Sequence, residues 1–174
     1  MTMKIESLMK SVILSALLST GGMAADVMIN VTGKVVTSPC TVDNSGIYNI
    51  DLGQNISTAT LNPANSYSPW KKFNVTLSNC PAGTTKVTAV FSGTVDGNNN
   101  TMYANATGEG YAQNIAIQLQ DSTAGMNVGN GATMTVNVVN SAATFPLQAR
   151  AFSTLGGATS GYISASVLIN MTYN

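Results

Sequence analysis

Apolar and polar side chains alternate with a period of two along most of the chain. The alternation is clearest in six segments, separated by clusters of Gly, Asn, Ser and Pro: FNVTLSNC, TTKVTAVFSG, NIAIQLQD, TMTVNVVN, TFPLQARAF and GYISASVLINMTY. Val, Ile and Thr are frequent in these segments and suit a pleated, half-buried surface. No segment shows a helical period over ten residues. The pattern predicts an all-β sandwich of antiparallel strands.

Two of the segments indicate which side chains enter the core. Their apolar residues recur at every second position and so share one face of a strand. These residues are Val87, Ala89, Phe91, Ile115, Ile117 and Leu119. Glycine and asparagine, which favour turns, are concentrated in residues 93–110, and a second cluster follows at 153–161. We therefore expect surface connections at both places.

The first 24 residues have the pattern of a secretory signal peptide. Lys4 and Lys10 precede and flank an apolar run, and Gly22 and Ala24 fit a small-x-small cleavage site. The run at 12–18 is much shorter than the roughly 20 apolar residues that a membrane-spanning helix needs. The sequence predicts cleavage after Ala24, which leaves residues 25–174 as one domain of ordinary size.

Charge and composition argue against several classes of function. Residues 25–174 carry five basic and six acidic side chains, so the surface gives no electrostatic reason to bind nucleic acid. The chain has no histidine, which removes Ser-His triads and histidine metal sites. The acidic residues are sparse and scattered. We therefore expect no enzymatic activity, no metal, no cofactor and no small-molecule substrate.

The two cysteines, Cys40 and Cys80, are expected to form a disulfide, since an exported protein usually reaches an oxidising compartment. Closing a loop of this length stabilises a fold by about 4 kcal/mol in the chain-entropy model.

Trp70 precedes Lys71 and Lys72, and a single tryptophan at the start of a strand is more often a core-edge residue than a ligand-stacking one.

Both ends of residues 25–174 read as alternating strands. At the amino end, one face carries Val27, Ile29, Val31, Gly33 and Val35. At the carboxyl end, one face carries Ile163, Ala165, Val167, Ile169, Met171 and Tyr173. Periodicity alone leaves open whether the amino-terminal strand joins its own sandwich or the sheet of another molecule.

The order of several segments resembles the pilin subunits of the chaperone-usher pathway, in particular the minor linker subunits of type 1 fimbriae. These segments are ADVMINVTGKVVTSPC, LSNCPAGT, AQNIAIQLQD, FPLQARA and GYISASVLINMTYN. The marks of the resemblance are a glycine inside the amino-terminal alternation, the cysteine pair, a glycine fourteen residues from the carboxyl end and a penultimate tyrosine. Here those positions hold Gly33, Cys40, Cys80, Gly161 and Tyr173.

The resemblance implies an incomplete immunoglobulin-like sandwich that lacks its last strand. Residues 38–174 would form this pilin domain, with a hydrophobic groove beside the carboxyl-terminal strand. Residues 25–37 would be a donor-strand extension, which inserts Val27, Ile29, Val31, Gly33 and Val35 into the groove of a neighbouring subunit. The strand that borders the groove and binds the chaperone would present Gly161, Ile163, Ala165, Val167, Ile169, Met171, Tyr173 and Asn174.

The implied partners are a periplasmic chaperone, an outer-membrane usher and adjacent fimbrial subunits, including a tip adhesin. The implied function is that of a structural minor adaptor, which is exported through the periplasm into an extracellular fimbrium used for cell adhesion. Two alternatives stay open at this point. The chain could be the major rod pilin of such a system, or a stand-alone secreted β-sandwich that binds a carbohydrate or receptor through loops such as 93–110.

Overall fold

A computed structural model describes residues 28–34 and 38–174. The expected signal peptide, 1–24, lies outside the described residues, as do Val27 and Val35. The chain divides into two units, Met1–Lys34 and Val35–Asn174. In the first unit, the described residues 28–34 form no regular secondary structure, and Ile29 and Val31 are 79% and 87% exposed. Within the described ranges, no helix is long and apolar enough to cross a membrane.

The second unit is built of nine described strands and a short 3₁₀ segment at Asp43–Gly46. The strands are β1 (Thr41–Val42), β2 (Ser66–Tyr67), β3 (Lys71–Ser78), β4 (Lys86–Gly93), β5 (Tyr103–Ala104), β6 (Ala116–Asp121), β7 (Thr133–Asn137), β8 (Ala143–Ser153) and β9 (Val167–Tyr173). The alternating segments of the sequence correspond to the longer strands. In the last alternating segment, 161–173, strand β9 begins only at Val167, because residues 162 and 164 form hydrogen bonds with a loop instead.

The strands form two antiparallel sheets. The first sheet has the order β1-β3-β8-β6-β5, and β2 also pairs with β8. The second sheet has the order β7-β4-β9 among the described strands. This arrangement confirms the all-β, immunoglobulin-like fold class, and it places β9 at an edge of the smaller sheet.

Apolar side chains from the inner faces of both sheets form the core. In β4, Val87, Ala89 and Phe91 are completely buried, and Leu147 of β8 is as well. These alternate with partly exposed residues, as a strand with one buried face requires. The predicted core residues Ile115, Ile117 and Leu119 are also buried.

A disulfide joins Cys40 to Cys80, as predicted, with the Cα atoms 4.2 Å apart. The two residues flank the antiparallel pairing of β1 with the end of β3, where Thr41 lies opposite Ser78. The bridge therefore fixes the first strand of the domain to the edge of the first sheet.

The segment 93–110, expected to be a surface connection, contains a core residue. Tyr103 in β5 is 1% exposed, and its hydroxyl donates to the Val128 carbonyl over 2.8 Å. Its ring lies against Gly93, where an added Cβ would come within 2.8 Å of the ring. Burial raises the pKa of Tyr103 to about 12. The alternation of apolar and polar residues did not predict β5, because the strand is only two residues long and is surrounded by polar residues.

Candidate functional site

A long groove of about 1200 Å³ opens between the core and the edge of the second sheet. Polar and apolar groups contribute about equally to its lining, which comes from three parts of the second unit. The floor is the inner face of the first sheet, one wall is β9, and the other wall is the connection that follows the 3₁₀ segment. Representative side chains of the three parts are Phe73, Leu147, Ile169, Met171, Tyr48 and Leu52.

The β9 wall is an incompletely buried strand. Val167, Ile169, Met171 and Tyr173 pack against the core cluster but are only partly buried, whereas Leu168 on the other face is 63% exposed. Four apolar side chains thus retain surface that a further strand could cover. Burying apolar surface gains roughly 25 cal/mol per Å².

Hydrogen bonding shows which backbone groups of β9 face the groove. Asn174 donates its amide to the Lys86 carbonyl over 2.9 Å, and the Lys86 amide donates to the Asn174 carbonyl over 3.0 Å. In an antiparallel ladder, alternate residues bond to the same neighbour. Leu168, Asn170 and Thr172 therefore bond towards β4, and the amides of Val167, Ile169 and Met171 turn towards the groove. No described residue pairs with that edge.

The opposite wall, residues 48–52, belongs to neither described sheet. Residues 48–52 make no backbone hydrogen bond to another described backbone group. The segment is held by its side chains: the Thr76 amide donates to the Tyr48 hydroxyl over 3.0 Å, and Leu52 packs against the core. Each side of the groove thus has a backbone edge that no described residue pairs with, which is the environment that an added β-strand requires.

The sequence pattern did not predict this second wall. Tyr48, Ile50 and Leu52 all line the groove. Their spacing of two residues was the available signal, but Asp51 and Gly53 interrupt the run, and it was too short to stand out. Leu61, which is 2% exposed, lines the far end of the groove, where it packs in a second apolar cluster with Ala112 and Ile115.

Gly161 has a structural reason to be glycine. Its φ is +153°, and an added Cβ would collide with the backbone of Tyr111 and Ala112. The close approach is fixed on either side, because the Tyr162 amide donates to the Gly110 carbonyl over 2.8 Å and the Ala112 amide donates to the Tyr162 carbonyl over 3.0 Å. Gly161 thus anchors the segment that leads into β9.

The structure brings most of the predicted groove residues together. Ile163, Ala165, Val167, Ile169, Met171 and Tyr173 all line the groove, with Gly161 at its end. Ala165 is exposed and lies before β9. Asn174 lies just beyond the strand, and its carbonyl also accepts from the Thr85 amide over 2.6 Å. Burial raises the pKa of Tyr173, as expected for a phenol packed against apolar side chains.

Among the predicted donor residues, Ile29, Val31 and Gly33 are described and Val27 and Val35 are not. Ile29 and Val31 are exposed, and a Cβ added to Gly33 would have nothing within 4 Å. Segment 28–34 is irregular, and it does not bury the side chains of Ile29 and Val31. They remain available for contact with another molecule.

Comparison with known proteins agrees with this geometry. The family described as "Fimbrial protein" matches residues 29–174. Protein FimG of Escherichia coli (strain K12) is 45% identical over 161 residues, which cover 91% of this chain and 92% of that protein. The type-1 fimbrial protein A chain of the same strain is 34% identical; the match covers 98% of this chain and all of that protein.

A solved structure extends the likeness to three dimensions. The P pilus rod subunit PapA superposes with a TM-score of 0.64 at 25% identity, over 79% of this chain and all of PapA. The predicted absence of catalysis agrees with these relatives, since fimbrial subunits are structural proteins. The chain belongs to the fimbrial protein family and is a structural subunit of an extracellular bacterial pilus.

Proposed function

We propose that the groove beside β9 receives the amino-terminal strand of another subunit, and that residues 25–37 of this chain fill the groove of a neighbour in the same way. The observation that carries the proposal is a pair of backbone edges on either side of an apolar floor, the outward amides of Val167, Ile169 and Met171 and residues 48–52, for which the described part of the chain provides no backbone partner. A strand placed between them would satisfy both edges and cover the exposed parts of Ile169 and Met171.

The donor strand would insert the face that carries Val27, Ile29, Val31, Gly33 and Val35. Each of its four large apolar side chains contributes about 1.5 to 3 kcal/mol when fully buried. Glycine lowers strand propensity, so its use at position 33 fits an acceptor that comes close to the backbone there. A bulky residue at position 33 should block insertion.

Before assembly, a periplasmic chaperone would lend a strand to the same edge, and an outer-membrane usher would exchange it for the next subunit. A groove with an apolar floor and open strand edges is a site of aggregation if it stays uncovered, which supports the need for such a partner. The chaperone would contact the surface that runs from Gly161 to Asn174 along β9. Residues 1–24 would direct export as a signal peptide.

Within the pilus, we place the chain as a minor adaptor that both accepts and donates a strand, near the tip adhesin. Its identity to FimG, 45%, exceeds its identity to the type-1 A chain, 34%. The major rod subunit is the remaining alternative. A stand-alone binding module is not favoured, because such a module would close its own sandwich.

A rearranged chain tests the proposal. Residues 25–37 are moved behind Asn174 through a short flexible linker, and the control carries Ile29→Ser and Val31→Ser in the moved segment. We expect a monomer whose unfolding midpoint in guanidinium chloride is much higher than that of the control and of the natural order. Equal stability of all three proteins would overturn the proposal.

A further inference from the structure

The outward face of the first sheet carries an arginine between two aromatic rings. Arg150 is the only arginine in the chain. Its guanidinium carbon lies 3.6 Å from the ring centroid of Tyr67 and 4.1 Å from that of Trp70. Its Nε donates to Gln118 Oε1 over 2.7 Å. Stacking and the hydrogen bond together hold the guanidinium in one orientation.

This cation has no acidic partner. Among the described residues, Arg150 makes no ion pair, and burial lowers its pKa while the nearby phenol of Tyr67 favours the charged form. No outward-facing position of β3, β6 or β8 is acidic. The carboxylate of Asp43, in the 3₁₀ segment, accepts hydrogen bonds from the Thr76 and Ser78 hydroxyls near the end of β3. The face therefore has positive charge that the described residues do not neutralise.

A second cation and a chain of fixed amides lie beside Arg150. Lys72 is exposed and lies opposite Gln148 in the adjacent row of the sheet. Gln148 Nε2 donates to Gln120 Oε1 over 3.1 Å, and Gln120 Nε2 donates to Asn127 Oδ1 over 2.9 Å. Gln118 Nε2 also donates to Asn127 Oδ1 over 2.9 Å.

These amides are fixed in direction. Gln118 and Gln148 are only 6% and 8% exposed, so their side chains are held by burial as well as by hydrogen bonds. Each amide nitrogen carries two protons, and the hydrogen bond described above uses only one of them. Fixed amides beside a fork-shaped cation suit a small ligand with hydroxyls and one carboxylate.

We propose that Arg150, Lys72 and Gln148 form a binding site for an acidic sugar, with the carboxylate on Arg150 and ring hydroxyls on the amide row. A carboxylate can bond to the two terminal nitrogens of the guanidinium, because Gln118 occupies Nε. The charge of the ligand complements a cation that has no acidic partner among the described residues.

A protein partner is less suited to this face. Protein interfaces have an apolar core, and Tyr67 is the one large apolar side chain exposed at the outward positions of the described strands in this sheet. A site for a sugar would give the subunit an adhesive contact in addition to its role in assembly.

The test titrates the secreted chain, as isolated from the periplasm with any bound chaperone, by isothermal calorimetry. The probes are glucuronate and N-acetylneuraminate, with glucose, acetate and an oligoglutamate peptide as controls. We expect saturable binding of at least one acidic sugar with a Kd of about 0.1 to 5 mM, and at least tenfold weaker binding of glucose and acetate.

Variants assign the binding to this face. Arg150→Met should weaken acidic-sugar binding about tenfold or more, and Arg150→Lys should weaken it too because lysine lacks the planar fork. The exposed Lys72→Glu should weaken binding even if the arginine variants fail to fold. Lys86→Met removes a charge from the second sheet and should leave binding unchanged. Absence of saturable sugar binding, equal binding of acetate, tighter binding of oligoglutamate or insensitivity to Lys72→Glu would each overturn the proposal.

Discussion

Strands β4 and β9 are neighbours in one sheet, but their core-facing residues are buried to very different extents. Val87, Ala89 and Phe91 of β4 are 0% exposed, whereas the residues opposite them on β9 are only partly buried. Those opposite residues are Tyr173, Met171 and Ile169. Both strands alternate apolar and polar positions equally well. The difference arises because β4 has β7 on its other side and β9 has no described neighbour there.

The comparison shows that incomplete burial along β9 is a property of strand order rather than of composition. A strand with two neighbours has its inner side chains covered from both sides, and one with a single neighbour does not. Side chains of β9 should therefore gain their full contribution only when a further strand is present. The following substitutions test that statement, each made with the groove empty and with it filled by the moved segment 25–37.

The largest effect is expected at the centre of the sheet. Phe91→Ala should lower the free energy of unfolding by about 3 to 5 kcal/mol, since it removes a fully buried ring and leaves a cavity. The cost should be similar whether the groove is empty or filled, because Phe91 is already covered. Chemical denaturation of both forms measures it. If the free-energy cost of Phe91→Ala doubled when the groove is filled, β4 would not be fully covered in the empty form.

The matched change at the edge is Ile169→Ala. With the groove filled it should cost about 2 to 4 kcal/mol, and with the groove empty only about 1 kcal/mol, because part of the side chain is then still in water. The same denaturation experiment gives both values. Leu168→Ala, on the exposed face of β9, is the control and should cost little in either form. Equal costs for Ile169→Ala in the two forms would mean that nothing covers this edge.

A smaller effect is expected where the chain enters β9. Gly161→Ala places a Cβ against the backbone of Tyr111 and Ala112 at φ +153°, and we expect a loss of roughly 1 to 3 kcal/mol. Since Gly161 positions the edge strand, the variant should also accept a donor peptide more slowly. Gly97→Ala, where an added Cβ meets nothing within 4 Å, is the control. A neutral Gly161→Ala would show that the backbone there can shift freely.

The smallest effect concerns Tyr103, whose ring covers Gly93 at the end of β4. Its pKa is raised to about 12 in the folded protein, so the neutral phenol is favoured by folding. The resulting stability is fully present below pH 10 and is lost as the pH rises towards 12, by up to about 2 kcal/mol. Unfolding curves between pH 8 and 12 measure it, with Tyr103→Phe as the reference. A parallel decline in the reference would assign the loss to other groups.

The sequence was sufficient for the fold and for one side of the groove. Period-two alternation located β3, β4, β6, β7, β8 and β9, because each long strand has one buried face. The disulfide was predicted because the chain has two cysteines and the expected export would bring them into an oxidising compartment. The resemblance to pilins, rather than periodicity, indicated that β9 borders an unfilled position, since an edge strand and a central strand share the same alternation.

The parts that the sequence did not predict are those that depend on long-range contacts. Residues 48–52 have no backbone partner in the described structure, so Tyr48 becomes a wall of the groove only through its bonds to Thr76, 28 residues later. Tyr103 lies in a two-residue strand amid asparagines, and its burial is decided by Gly93 and Val128. Arg150 gains its stacked position from Tyr67 and Trp70, which no local pattern connects to it.

Hydrogen exchange along β9 tests the central claim most directly. Amides of Leu168, Asn170 and Thr172 bond to β4, and those of Val167, Ile169 and Met171 face the groove. With the groove empty, we expect the first set to be protected and the second to exchange rapidly; a peptide of residues 25–37 should then protect the second set selectively. Protection of both sets before any peptide is added, or no change on its addition, would contradict the account.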